Sequence, residues 1–120
     1  MSGTRPDPAQ ILDLLVDTVF VLDPHGRLLY VSASCEALLG YKAEELVDQY
    51  MIEFVHPDDR GSTLGSVWRV MSGEALIRFE NRWIHKNGSS VPIQWCARWD
   101  AKHQVRIAVA RRLPMDWKAL

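Results

Sequence analysis

The sequence predicts an α+β domain: a five-stranded antiparallel sheet with short helices on one face and an N-terminal amphipathic helix beside it. Strand-like runs rich in β-branched and aromatic residues come as a pair at the front of the chain and as a trio at the back. The stretch between them carries helix start and stop signals, and the turns joining neighbouring runs are short enough to impose antiparallel pairing. With 120 residues, 48% of them hydrophobic and 24% charged, the chain has material for one core.

The first element is a helix. Asp7-Pro8-Ala9-Gln10 offers an N-cap acceptor, a proline at the first helical position and a Gln three residues after the cap, a capping-box arrangement. Residues 8–16 are expected to be helical. Ile11, Leu14 and Leu15 form one apolar stripe, with Leu12 and Val16 on an adjoining one, which is wider than a helix with a solvated side requires. The surplus face belongs either to a deeply buried terminal helix or to a partner, and a homodimer contact through Ile11, Leu12, Leu15 and Val16 is the expectation.

Val19-Phe20-Val21-Leu22 and Arg27-Leu28-Leu29-Tyr30-Val31 then read as two strands around an Asp23-Pro24-His25-Gly26 turn. Between residues 32 and 73 the signals become helical. Ser34 caps a short helix closed by Gly40, Glu44-Glu45-Leu46-Val47 begins a second, and Pro57-Asp58-Asp59 opens a third. In that third helix Leu64, Val67, Trp68 and Met71 recur at i, i+3, i+4 and i+7, so they are expected to face inward, with Gly73 as the stop. Three strands follow, over residues 75–84, 90–99 and 105–113, joined by Lys86-Asn87-Gly88 and by Asp100-Ala101-Lys102-His103. Residues 1–7 read as a disordered or tag-like lead and 114–120 as the start of a linker to an output domain, with Trp117, Ala119 and Leu120 opening a helix or lying in a tail.

Composition excludes several functions. A formal net charge of −1 leaves no excess of basic side chains to track phosphates, so nucleic acid is not an expected partner. The longest apolar runs are broken by Asp and are too short to span a membrane, and the opening residues lack a secretory apolar stretch, which points to the cytoplasm. Cys35 and Cys96 stand in no CxxC or Cys/His spacing and are expected to be two buried, reduced thiols.

Five stretches, in order, resemble the PAS family over most of the chain. They are Val21-Leu22-Asp23-Pro24 with Gly26; Leu29-Tyr30-Val31; Leu38-Leu39-Gly40-Tyr41 with Glu45-Leu46; Val55-His56-Pro57-Asp58-Asp59-Arg60; and Phe79-Glu80-Asn81-Arg82 leading to Lys86-Asn87-Gly88. The chain departs from the family in two places. Ser32 stands where many members have Asn after the second strand, and Arg112-Leu113-Pro114 replaces the Asp-Ile-Thr motif that often couples the last strand to a following helix.

The resemblance implies a sensory and dimerisation module without catalytic machinery, regulating a fused or partner output domain such as a histidine kinase or a cyclic-dinucleotide enzyme. A pure protein–protein interaction domain with a filled core is the alternative, and a small free-standing enzyme is a third reading. Haem-binding members hold iron through a His on the long helix, which here has none, and the flavin-linking Asn-Cys-Arg-Phe-Leu-Gln motif is missing. No cofactor is therefore expected, with haem or a non-covalently stacked flavin left open. His56 beside Asp58 and Asp59 invites a metal or proton-shuttle reading, but the resemblance makes the segment a helix start capped by Asp58 or Asp59.

Strand alternation matched to the family pattern turns Phe20, Leu22, Phe79, Asn81, Trp83, Ile93, Trp95, Ala97, Ala108 and Ala110 toward the helices. Ten residues make the expected ligand pocket: Phe20, Leu22, Met51, Trp68, Met71, Asn81, Trp83, Trp95, Ala108 and Ala110. Their bulk either fills the interior or leaves a small apolar cavity for a small apolar ligand, with Asn81 as its polar group. The other sheet face carries Val19, Val21, Ile107 and Val109, for which the N-terminal helix is the expected cover.

Overall fold

The computed structural model describes residues 5–114. Its elements are α1 (Pro8–Asp13), β1 (Thr18–Leu22), β2 (Leu28–Val31), α2 (Cys35–Leu39), α3 (Ala43–Leu46), α4 (Arg60–Met71), β3 (Leu76–Ile84), β4 (Ser90–Asp100) and β5 (Val105–Arg112). Two 3₁₀ turns, Met51–Phe54 and Pro57–Asp59, lead into α4. The strands form one antiparallel sheet in the order β2-β1-β5-β4-β3, so the first and last strands in sequence lie side by side at its centre. The expected α+β architecture is present.

Local chemistry sets each turn. Asp23 Oδ1 accepts from His25 N (2.8 Å) and Arg27 N (3.0 Å), closing the β1–β2 hairpin on its own side chain. Asn87 Oδ1 does the same for Ser89 between β3 and β4, and Asp100 Oδ1 for Lys102 between β4 and β5. Gly40 ends α2 at φ 77°, and a Cβ there would run into the His85 ring, so both the backbone and the space call for glycine.

The core fills the space between the sheet and the helical crossover. Phe20, Trp83 and Trp95 meet with ring centroids 5.1–5.5 Å apart, and Phe54 stacks on Trp83 at 5.9 Å. Leu28, Leu39, Leu46 and Val55 complete the fully buried shell around them.

Three expectations are corrected. The N-terminal helix ends at Asp13, short of Val16, although its capping box forms as expected, with Asp7 and Gln10 exchanging bonds of 2.9 Å. Asp13 Oδ1 accepts from Tyr30 Oη (3.1 Å) and Ala33 N (3.0 Å), which ties the helix end to the exit of β2 and leaves residues 14–17 to reach β1 in irregular backbone. Part of the outer sheet face consequently stays open: Val19 is buried and Val21 and Val109 are half-buried, but Ile107 is 42% exposed, while Ile11, Leu14, Leu15 and Val16 are themselves exposed and Leu12 is half-buried.

The second correction concerns α4, which turns Thr63, Ser66 and Val70 inward while Trp68 is 78% exposed and Leu64 is exposed. The third concerns the thiols. Cys35 is buried, and burial pushes its pKa up to about 11, but Cys96 is exposed on β4, its Sγ donating to Ile77 O at 2.9 Å. The linker helix expected at Trp117, Ala119 and Leu120 lies outside the described residues.

Candidate functional site

Period-two alternation on the two central strands brings one column of side chains under α4. Phe20 pairs with Ala108, Leu22 with Arg106, and on the other side of β5 Ala97 pairs with Ala108 and Trp99 with Arg106. The small Ala97 and Ala108 leave room that the aromatic rings beside them do not fill. A cavity of about 50 Å³ results, lined by Phe20, Leu22, Leu28, Trp83 and Trp95, with Thr63, Ser66, Val67 and Val70 as its roof.

A directed hydrogen-bond chain braces that roof. Trp95 Nε1 donates to Asn81 Oδ1 (2.7 Å), Asn81 Nδ2 donates to Thr63 Oγ1 (3.0 Å), and Thr63 Oγ1 donates to Asp59 O (2.7 Å). Asn81 needs a hydroxyl opposite it, and the bulky rings below need a thin roof. Those two demands, and not apolar periodicity, choose the inward face of α4. At the start of the helix Asp59 takes three bonds from Arg82, from its N (2.8 Å), Nε (2.9 Å) and Nη2 (2.7 Å), and these hold its carboxyl below the ordinary range. His56 Nδ1 accepts from Asp58 N at 3.1 Å and caps the 3₁₀ turn, while Asp59 holds the N-cap position of α4 as expected but turns its carboxylate to Arg82 and makes no side-chain cap bond.

Of the ten residues expected to line the pocket, Phe20, Leu22, Met51, Asn81, Trp83, Trp95 and Ala108 line the cavity. Ala110 is buried outside the lining, Met71 is half-buried at the end of α4, and Trp68 points to solvent. Two polar groups here escaped the sequence reading. Trp83 Nε1 is buried without a hydrogen-bond partner. Arg106, 4% exposed, lines the cavity and also an adjoining outer cleft of about 180 Å³ formed with Pro24, His25, Tyr50, Met51 and Ile52. The alternation that turned Ala108 and Ala110 inward continues to Arg106 and was the signal for it.

The cavity lining includes no Asp, Glu, His or Cys. Among the described residues no cluster of three such groups could hold a metal ion, and no helix is long and apolar enough to cross a membrane.

A sheet roofed by one long helix over a small, braced, mostly apolar cavity defines a domain of the cavity-enclosing α+β class. Residues 28–109 match the family model of the PAS fold, and the chain belongs to that family. White collar 2 protein of Neurospora crassa is 33% identical over 82 residues, which are 68% of this chain and 16% of the relative, so the chain spans about a sixth of that protein. A domain of a sensor histidine kinase/response regulator from Geobacter sulfurreducens superposes with a TM-score of 0.73 at 23% identity, over 84% of this chain and 87% of that one. The PAS domain of the Cronobacter turicensis RpfR quorum-sensing receptor, in complex with C12:0, gives 0.71 at 16% identity over 83% and 96%.

Proposed function

We propose that this chain is the sensory and dimerisation module of a signal-transduction protein, acting on a fused or partner output domain through a small apolar ligand held under α4. The observation that carries the reading is the mostly apolar cavity under α4, which has Met51, Val67 and Arg106 as walls in common with the outer cleft. Ligand and helix would be coupled directly, because the chain from Trp95 through Asn81 to Thr63 joins two strands to α4.

The lining supports binding without chemistry, since it holds no Asp, Glu, His or Cys to act as a base, and its hydroxyls, Thr63 and Ser66, are spent on the backbone carbonyls of Asp59 and Thr63. The RpfR domain, solved with C12:0, offers a precedent for an aliphatic occupant in this fold. Resident haem or flavin does not suit a cavity of about 50 Å³.

A second reading, the filled interaction domain, is favoured by that same small volume. Freshly purified protein separates the two. The expected result is no stoichiometric visible absorption band, together with amide and indole NMR shifts at Asn81 and Trp95 on adding 1-hexanol or hexanoate. A spectrum unmoved by either compound would leave the interaction domain as the correct reading.

A further inference from the structure

Arg106 is the one charged residue at the joint of cavity and cleft, and its position is unusual in two respects. Its side chain leaves the inner face of β5 opposite Leu22 and Trp99, where an aliphatic residue would pack without cost. It is 96% buried, yet no hydrogen bond or ion pair reaches its guanidinium among the described residues. The nearest influence of opposite sign is Asp23, and that carboxylate holds its own turn, accepting from His25 N and Arg27 N. The guanidinium keeps only a remnant of contact with water and has no protein partner, so its charge is poorly satisfied, and arginine cannot shed its proton to escape the penalty.

The cavity lining holds another unused donor and no anion. Trp83 Nε1 is buried and unpartnered, and the remaining polar groups of the lining are engaged: Asn81 by Trp95 and Thr63, Thr63 by Asp59 O, and Ser66 by Thr63 O. What the cavity lacks is an acceptor.

Resting on the ligand-sensing reading above, we infer that Arg106 is an anion-binding residue and that the ligand is a small monocarboxylate, its head on the guanidinium and its aliphatic tail among Phe20, Leu22, Trp83 and Trp95. The planar guanidinium fork matches a carboxylate in two parallel bonds. A single cation with no second basic group in the lining suits a monoanion better than a phosphate dianion. The inner volume of about 50 Å³ admits roughly three to five water-sized groups, which sets a short tail. Gly26 completes the seat, because its Cα stands beside the guanidinium and a Cβ there would lie 3.7 Å from Nη2, at a φ of 86° that side chains resist.

The test is isothermal titration and thermal melting of the purified chain with hexanoate and with 1-hexanol, which shares the tail but not the charge. Wild type is expected to bind hexanoate more tightly than hexanol by roughly tenfold or more. Arg106→Met is expected to equalise the two ligands and to melt at or above the temperature of ligand-free wild type, since it removes an unpaired buried charge. Arg106→Gln serves as the second variant should the Met substitution misfold, and it should equalise the ligands likewise. Equal affinity of wild type for hexanoate and hexanol would overturn the carboxylate assignment and leave the sensing reading standing. So would an unchanged hexanoate preference in either variant. Binding of neither compound to wild type would overturn both.

Discussion

Trp83 and Trp95 sit 5.5 Å apart in one aromatic cluster, yet their indole nitrogens stand in opposite circumstances. Trp95 Nε1 donates to Asn81, whereas Trp83 Nε1 has no partner. Phenylalanine removes the same ring atoms at both positions, so the packing losses are similar and the polar terms decide the difference. Trp83→Phe discards a donor that was already unsatisfied. Trp95→Phe strands Asn81 Oδ1 in a buried site, which costs about 1–3 kcal/mol more. Chemical denaturation of both variants should therefore rank Trp95→Phe below Trp83→Phe by that margin, and equal midpoints would mean that a solvent molecule or ligand already satisfies one of the indoles. Arg106 belongs to the same class of residue, a polar side chain at an inward strand position. Alternation alone marks such positions, but a reading that searches for apolar residues passes over them.

The junction of α4 with β3 rests on Asp59 and Arg82, whose side chains are 19% and 33% exposed. Hydrogen bonds to charged groups are worth about 1–3 kcal/mol together with their pairing, and solvent access at the guanidinium places this one toward the lower end. Arg82 lowers the folded-state pKa of Asp59, so the contribution is present above the unfolded carboxylate value near 4 and is lost as the pH falls through the depressed folded value. Asp59→Asn should accordingly destabilise at neutral pH, with the gap to wild type closing below about pH 4 as the wild-type carboxylate is protonated and becomes neutral like the amide. A gap independent of pH in urea melts would show that geometry, not charge, holds the junction. The strands were legible because Asp, Asn and Gly turns between apolar runs fix hairpins locally. The inward face of α4 was not, since it depends on Asn81, 18 residues from Thr63, and on ring volumes that periodicity does not record. The length of α1 escaped for a similar reason, because Asp13 stops the helix through Tyr30 and Ala33, contacts that no local stop signal announces.

Among the described residues, apolar side chains are exposed on the N-terminal segment with Leu14 and Val16 (93% exposed), on the outer sheet face with Ile107, on α4 with Leu64 and Trp68, and on β3 with Ile77. The first two adjoin, since the segment runs directly into β1, which pairs with β5. The net charge of −1 offers little electrostatic repulsion between copies. A stable pairing buries about 1,200–2,000 Å² in all, more than a few side chains of the segment supply, so the sheet face has to take part. The expected assembly is a homodimer in which the N-terminal segment of each copy lies on the outer face of the other, near Val21, Ile107 and Val109, in the isologous manner of two-fold dimers. Leu14→Glu and Val16→Glu touch side chains that a monomer already exposes, so they should leave the circular dichroism spectrum intact while converting dimer to monomer in light scattering. Ile107→Glu should do the same from the opposite side of the contact. If wild type is monomeric well above micromolar concentration, the segment has no such role. If removal of residues 1–17 leaves a dimer intact, the two copies meet elsewhere and the exposed segment awaits a different partner.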